Sequence, residues 1–305
     1  MSLRGQRPKQ SREVNKIASL RSQWHNMYML KFLIFGDIVG RTGREALQKI
    51  LPSLKKQYRP DLIIANAENA AHGSGVTPKT LREMQMAGVD FFTNGDHCFD
   101  KPEVEKILTE ADSTLLRPAN MVGQPGAGEK LLTLATKKVL VVNLLGRVFI
   151  EDNLEKKGEE KQRKIKLSNP FTTMEEILQK YAAEKVDAIL LDFHTEATSE
   201  QIAMGYFLDG RVSAVWGTHT HVPTADARVL PNGTGFITDI GMTGAKNTVI
   251  GVAKENVIER FVKENDAKFE WPETETATVN ALYAEVDPKT KKTKKIKLIQ
   301  KEIKL

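Results

Sequence analysis

Val215-Trp216-Gly217-Thr218-His219-Thr220-His221 is the stretch on which the reading of this chain turns. The short apolar run from Val212 to Trp216 has the make-up of a buried strand and stops at a glycine. Two histidines follow at spacing i, i+2. In extended backbone, residues two apart share a side, so both imidazoles are expected to face one point. Neutral imidazole is the commonest protein metal ligand, and two aimed together make half of a transition-metal site. A pair of surface histidines in a loop reads the same way locally, so the rest of the chain has to decide.

Working back from that stretch, a helix from Ser199 to about Leu208 follows the strand Val186–Asp192, which ends at Phe193-His194-Thr195-Glu196. Farther upstream the alternation repeats. The run Leu30–Phe35 reads as the first strand, ends at Gly36-Asp37, and leads into a helix through about Tyr58. The second strand, Asp61–Asn66, ends at Ala67-Glu68-Asn69. The third, Val89–Thr93, ends at Asn94-Gly95-Asp96-His97. Between them Thr77 caps a helix with Pro78 at its first position and Gly88 closing it. Strands alternating with helices at these lengths predict right-handed βαβ crossovers and a largely parallel sheet. The spacing of the glycines after the first strand fits neither dinucleotide-binding nor P-loop fingerprints. A hairpin is predicted over Lys130–Leu145. The charge-dense segment Glu151–Lys166 reads as an exposed, mobile insertion, and a closing hairpin ends the chain with its lysines on the solvent face.

The bulk numbers set the class. A chain of 305 residues, 40% hydrophobic and 28% charged, can bury the core of a globular enzyme. No apolar run is long enough to span a membrane. The single cysteine, Cys98, excludes an internal disulfide and fits a reducing cytoplasm. The net charge of +6 is concentrated at the ends. Residues 1–30 carry +5 and residues 289–305 carry +7, which leaves −6 for the middle. An acidic body suits a protein that gathers cations better than one that binds nucleic acid through a basic face. Residues 1–29 are expected to form a flexible basic extension, and residues 30–305 a single domain.

Each metal-type residue so far sits just past the carboxyl end of a predicted strand: Asp37, Glu68-Asn69, Asp96-His97, His194, and His219 with His221. In open α/β sheets the ligand crevice lies outside those ends. Four of the six histidines fall on this one rim. Three carboxylates, an amide and three or four imidazoles exceed what one ion can use. An N/O set without thiolate favours Mn, Fe or Zn over Ca or Mg.

Several strings together resemble the bacterial YmdB-type metallophosphoesterases: Gly36-Asp37-Ile38-Val39-Gly40, Ala67-Glu68-Asn69-Ala70-Ala71-His72-Gly73, Gly95-Asp96-His97, Asp192-Phe193-His194-Thr195-Glu196-Ala197-Thr198-Ser199, Gly217-Thr218-His219-Thr220-His221 with Thr224-Ala225-Asp226, and Asp239-Ile240-Gly241-Met242-Thr243-Gly244. The resemblance runs in order from about Leu30 to the C-terminus. It implies an α/β calcineurin-like αββα sandwich, two mixed sheets flanked by helices. It also implies 2′,3′-cyclic-nucleotide 2′-phosphodiesterase activity with two divalent or trivalent transition-metal ions (Fe, Mn or Zn). One ion would be held by Asp37, Glu68, Asn69 and His221, the other by Glu68, Asp96, His194 and His219. A bridging hydroxide would attack phosphorus and His97 would act as general acid. The implied substrate is a small cyclic nucleotide or RNA-end phosphodiester, and a homo-oligomer is implied as well. A broader phosphomonoesterase or nucleotidase, and a regulatory RNA- or protein-binding module with structural metals, remain as other readings.

Two strings depart from the calcineurin-like pattern. The first motif is Asp37-Ile38-Val39 instead of Asp-x-His, as in the YmdB type, and the third is Gly95-Asp96-His97 where Gly-Asn-His is usual. An added carboxylate is expected to hold cations more firmly and to weaken their Lewis acidity. His72 is a candidate for substrate contact or for loop hydrogen bonding, and Arg117 and Arg147 are candidates for either a phosphate clamp or surface ion pairs. Cys98 is expected to be a buried, inert thiol, and Trp216 and Phe193 to pack the core; Asp100 can orient His97 or cap the helix that starts near Pro102, and capping is the simpler reading.

Overall fold

The computed structural model describes residues 29–161 and 163–305, so the N-terminal extension expected over residues 1–29 lies outside the described residues apart from Met29. Strand β1 (Leu30–Asp37) leads into helix α1 (Gly40–Tyr58), β2 (Leu62–Asn66) into α2 (Pro78–Ala87), and β3 (Phe91–Thr93) into the short α3 (Val104–Thr109). The small strand β4 (Met121–Val122) precedes the hairpin of β5 (Glu129–Leu134) and β6 (Lys137–Leu145). Helix α4 (Ile150–Lys161), β7 (Lys166–Leu167) and α5 (Pro170–Lys180) follow. After β8 (Ala188–His194), α6 (Thr198–Phe207) and β9 (Ala214–Thr218) come β10 (Arg228–Val229), β11 (Gly235–Ile237) and β12 (Gly244–Ala245). Helix α7 (Lys254–Lys263) and the hairpin β13 (Thr276–Asp287) to β14 (Lys292–Lys304) close the chain.

These strands build two six-stranded sheets. One has the order β12-β13-β1-β2-β3, with β14 also paired to β13; the other runs β10-β11-β9-β8-β6-β5. In the first, β1, β2 and β3 are parallel, with β3 at one edge, and β12, β13 and β14 pair antiparallel on the other side; in the second, β6, β8, β9 and β11 form a parallel centre between the antiparallel edges β5 and β10. Both sheets are therefore mixed, as expected.

Alternation along the strands sorts the core into layers, because successive side chains point to opposite faces. Phe32 and Ile34 of β1, Val139 and Val141 of β6, and Leu190 of β8 meet in one apolar cluster between the sheets. Leu33 and Phe35 of β1 turn the other way and pack against Leu47, Leu51 and Leu54 of α1. Leu140 and Val142 of β6 face outward onto Met174 and Ile177 of α5. Helix, sheet, sheet, helix is the resulting stack. Trp216 and Phe193 are fully buried in it, as predicted.

Local rules account for most boundaries. Thr77 and Thr80 form a reciprocal capping box on α2, Pro78 opens the helix, and Gly88 closes it in the left-handed conformation. The lysines of β14 are exposed. The segment Glu151–Lys166, expected to be exposed, is largely so among its described residues, but it carries regular structure. Residues 150–161 are helical, Ile150 and Leu154 are both only 2% exposed, and β7 pairs with β4. Two apolar residues one helical turn apart are enough to dock this otherwise charged helix.

Candidate metal centre

Both sheets send the carboxyl ends of their parallel strands to the same edge of the sandwich. From the first sheet come Asp37, at the end of β1, then Glu68 and Asn69 after β2, and Asp96 and His97 after β3. The second contributes His194, at the end of β8, and His219 and His221 after β9. The junction is tied by polar bonds across the sheets. The His219 backbone N–H donates to Asp37 Oδ2 at 3.1 Å, and Thr93 Oγ1 and Asn66 Nδ2 donate to Asp192 Oδ2.

Two groups of donors result, with Glu68 between them. One ligand atom each from Glu68, Asp96, His194 and His219 lies within 4.8 Å of all the others. His194 Nε2 is 3.1 Å from Glu68 Oε1, 3.5 Å from Asp96 Oδ1 and 3.0 Å from His219 Nδ1. On the other side, Asn69 Nδ2 lies 3.2 Å from Glu68 Oε1, 3.2 Å from His221 Nε2 and 3.4 Å from Asp37 Oδ1. His221 Nε2 is 4.0 Å from Asp37 Oδ1. Asp37, Glu68, Asn69, Asp96, His194, His219 and His221 are thus brought together.

The reason first given for the histidine pair is corrected. His219 and His221 are not in extended backbone but have φ of 109° and 65°, and they face different groups. Residues other than glycine hold such a conformation only when their surroundings enforce it. Here Thr220, between them, donates both its N–H and its hydroxyl to Asp239 Oδ2, at 3.0 and 2.8 Å. Asp239 Oδ1 in turn accepts from the Gly241 N–H.

Outer partners orient the rings. Thr218 Oγ1 donates to Asp192 Oδ1 at 2.8 Å and so accepts from His194 Nδ1, also at 2.8 Å, turning Nε2 toward the carboxylates. His221 Nδ1 donates to the Ile250 carbonyl at 2.8 Å, leaving Nε2 toward Asp37. His219 Nε2 pairs with Glu196 at 2.9 Å, which lowers the pKa of that carboxyl. Burial opposes the charged form of His194, yet the carboxylates of Glu68, Asp96 and Asp37 outweigh it and raise its pKa well above the ordinary value. Burial likewise opposes charging of His219, but Asp96 and Glu196 lift its pKa to about 9. Glu68 shifts down: burial would raise it, and the charge on His194 prevails. Burial raises Asp192 to about 7.

The donors fit a metal. They are carboxylate oxygens and imidazole nitrogens packed at ligand spacing, and they converge where a glycine leaves room. A Cβ on Gly95 would stand 2.2 Å from His194 Nε2 and 2.3 Å from Glu68 Oε2, so only glycine lets these groups close. Cys98 is buried with its pKa raised by desolvation, an inert thiol.

His97 is placed differently. Its Nδ1 lies 2.6 Å from Asp100 Oδ2 and 3.2 Å from Ser74 Oγ, and Ser74 Oγ also donates to Asp100. Its Nε2 is on the Asp96 side, 4.0 Å from Oδ2. The expectation that Asp100 caps the helix near Pro102 is corrected, because α3 starts at Val104 with no side-chain cap and Asp100 instead orients His97. Arg117 donates to the carbonyls of Pro118, Ala119, Gln124 and Pro125, which makes it a clamp on its own loop. Arg147 pairs with Glu151 at 2.7 Å. His72 is exposed in the loop after Asn69. Asp192, Asp239, Glu196, Thr218 and Ser74 went unremarked as site residues in the sequence. Only their places in the Asp192–Ser199 and Asp239–Gly244 strings and beside the ligands signalled some of them.

A family model described as YmdB-like protein matches residues 33–299. The chain belongs to the YmdB-like family. A Bacillus subtilis relative named 2′,3′-cyclic-nucleotide 2′-phosphodiesterase is 40% identical over 271 residues, covering 88% of this YmdB-like chain and 96% of the relative. The crystal structure of a novel phosphatase from Mycoplasma pneumoniae is similar with a TM-score of 0.80 and 34% identity, over 90% of this chain and 94% of that one. The calcineurin-like phosphoesterase YfkN from B. subtilis, 14% identical with a TM-score of 0.52 over 90% of each chain, shares the fold. The YmdB-like chain therefore has the calcineurin-like αββα architecture. Among the described residues, no helix is long and apolar enough to cross a membrane.

Proposed function

We propose that this chain is a metal-dependent phosphodiesterase that opens the cyclic phosphate of a 2′,3′-cyclic nucleotide at the P–O2′ bond. Its class, a phosphoric diester hydrolase of the calcineurin-like metallophosphoesterase type, follows from its family and from the relative named for that reaction. One observation carries the reading to this chain: Glu68 lies between two donor groups, 3.1 Å from His194 on one side and 3.2 Å from Asn69 on the other. Glu68 would be shared by two sites, one completed by Asp37, Asn69 and His221, the other by Asp96, His194 and His219. Transition-metal ions of the Fe, Mn or Zn type bound there supply Lewis-acid charge against the phosphoryl oxygens and make water a nucleophile near neutral pH.

His97 delivers the proton. With Nδ1 held by Asp100, the ring is oriented so that an Nε2 proton goes to O2′ as the P–O2′ bond breaks. The water oxygen stays on phosphorus, and the product is a 3′-phosphomonoester. His72 is offered as a substrate contact. A phosphomonoesterase is the second reading, supported by the similarity to the M. pneumoniae protein described as a novel phosphatase. The lone, buried cysteine suits a reducing cytoplasm, where we place the reaction.

Metal-supplemented assays separate the readings. Turnover of 2′,3′-cAMP and bis-p-nitrophenyl phosphate with little on p-nitrophenyl phosphate is expected. Dominant p-nitrophenyl phosphate hydrolysis would favour the monoesterase. No turnover with Fe, Mn or Zn would end the catalytic proposal.

A further inference from the structure

A groove of about 600 Å³ lies against α1 and α2, within the size range of small-molecule sites. Three of its lining residues adjoin the Asp37–Asn69–His221 half of the metal centre. Gly40 donates its N–H to the Asn69 carbonyl at 2.9 Å, His72 is three residues past Asn69, and Gly251 follows Ile250, whose carbonyl holds His221. Trp271 forms a further wall, half-buried. The indole lies flat on Gly73, where an added Cβ would be 1.8 Å from Nε1 and 1.9 Å from Cε2, and Gly73 has φ of 75°. Its neighbours fix it. Pro272 O accepts from Thr42 Oγ1, Glu270 O accepts from the Ala253 N–H, and Glu273 pairs with Arg41. An aromatic ring backed on one side by glycine and open to a groove is a stacking platform that loses little entropy when used.

We propose that this groove is the nucleoside subsite, with the base of the substrate stacked on Trp271; the proposal rests on the cyclic-phosphodiesterase reading above. The lining charges favour a single nucleotide over a longer strand. Arg41 is paired with Glu45 at 2.7 Å and Glu273 at 3.1 Å, and Arg44 with Glu83 at 2.6 Å. A channel that tracks a phosphate backbone carries surplus cations and binds with a steep salt dependence. This groove has its arginines neutralised and holds a base and ribose.

The test compares 2′,3′-cAMP with glycerol 1,2-cyclic phosphate, which has the same five-membered cyclic diester and no base. Trp271→Ala is expected to raise KM for 2′,3′-cAMP about tenfold, the scale of one lost stacking contact, with kcat within about twofold. KM for the glycerol compound stays put, and Trp271→Phe recovers most of the loss. Independently, 3′-AMP titrated into chelator-treated wild type quenches tryptophan fluorescence, and Trp271→Phe abolishes that component. An equal KM rise for both substrates, or quenching that survives in Trp271→Phe, overturns the subsite. If wild type hydrolyses neither cyclic diester, the catalytic reading fails and the quenching titration alone decides the groove. Should Trp271→Ala not fold, Trp271→Phe and the wild-type titration still decide.

Discussion

Asp96 is a carboxylate in the Gly95-Asp96-His97 string, and its surroundings show what that charge does. Its Oδ1 sits 3.5 Å from His194 Nε2 and 3.4 Å from His219 Nδ1, so the carboxylate faces two imidazoles at once. An asparagine there would keep one oxygen but bring an N–H₂ group, a donor, toward nitrogens that must offer lone pairs to a cation. Two divalent ions against Asp37, Glu68 and Asp96 leave about +1 locally; with asparagine the balance is about +2. Asp96→Asn is therefore expected to loosen metal retention about tenfold, roughly 1.4 kcal/mol, while raising kcat of the fully loaded protein. Elemental analysis after dialysis, beside kcat at saturating metal, checks both halves. Unchanged metal content and unchanged kcat would remove Asp96 from the centre.

Strand ends and the loops after them are the elements that matter, and most of them were legible. Compact apolar runs bounded by glycines, with carboxylates and histidines just beyond, place the seven ligand candidates at one rim. The failures have two causes. Asp100 reaches His97 only three residues back, a choice between orienting a side chain and capping a helix that the spacing leaves open, whereas the pinning of Thr220 by Asp239 and the docking of α4 through Ile150 and Leu154 depend on contacts distant in sequence. Trp271 stands in an irregular stretch, and only the fold brings it onto Gly73. The loop after β3 provides the sharpest test at this scale. Its Gly95 has His194 Nε2 and Glu68 Oε2 where a Cβ would go. Gly95→Ala is expected to fold, since the clash involves side chains that can retreat at about 1–3 kcal/mol. The retreat separates Glu68 from His194, and a misplacement near 1 Å lowers kcat/KM on 2′,3′-cAMP about a hundredfold. Circular dichroism and a turnover assay on one preparation check this; native activity in a folded variant would mean the groups need not close so tightly.

At the scale of the whole molecule, the centre adds polar bonds across the two sheets to the apolar core between them, so its charge state enters global stability. Without metal, protons do part of the cations' work. His194 and His219 have folded-state pKa values above the unfolded value of about 6.5, His219 reaching about 9. A raised histidine contributes its full stability below the unfolded value and loses it as pH rises through the folded one. Asp192, lifted to about 7 by burial even though the hydroxyls of Thr93 and Thr218 favour its ionised form, acts in the same direction at lower pH, since ionising it in place costs more than ionising it in the unfolded chain. Glu68, shifted down, works the opposite way, but its contribution is lost only as pH falls below the ordinary glutamate range. The Asp192 loss is nearly complete by about pH 7, so between pH 6.5 and 9 the histidine effect is the one at work, unopposed by Glu68, and the metal-free protein is expected to lose Tm across that window. Bound cations reverse the slope, because they require the deprotonated imidazoles and bind more tightly as protons leave. The Tm gained on loading is expected to be larger at pH 9 than at pH 6.5. Thermal scans of chelated and metal-loaded protein at both values measure this, and a chelated Tm that holds or rises toward pH 9 would show that these imidazoles do not store the protons the geometry gives them.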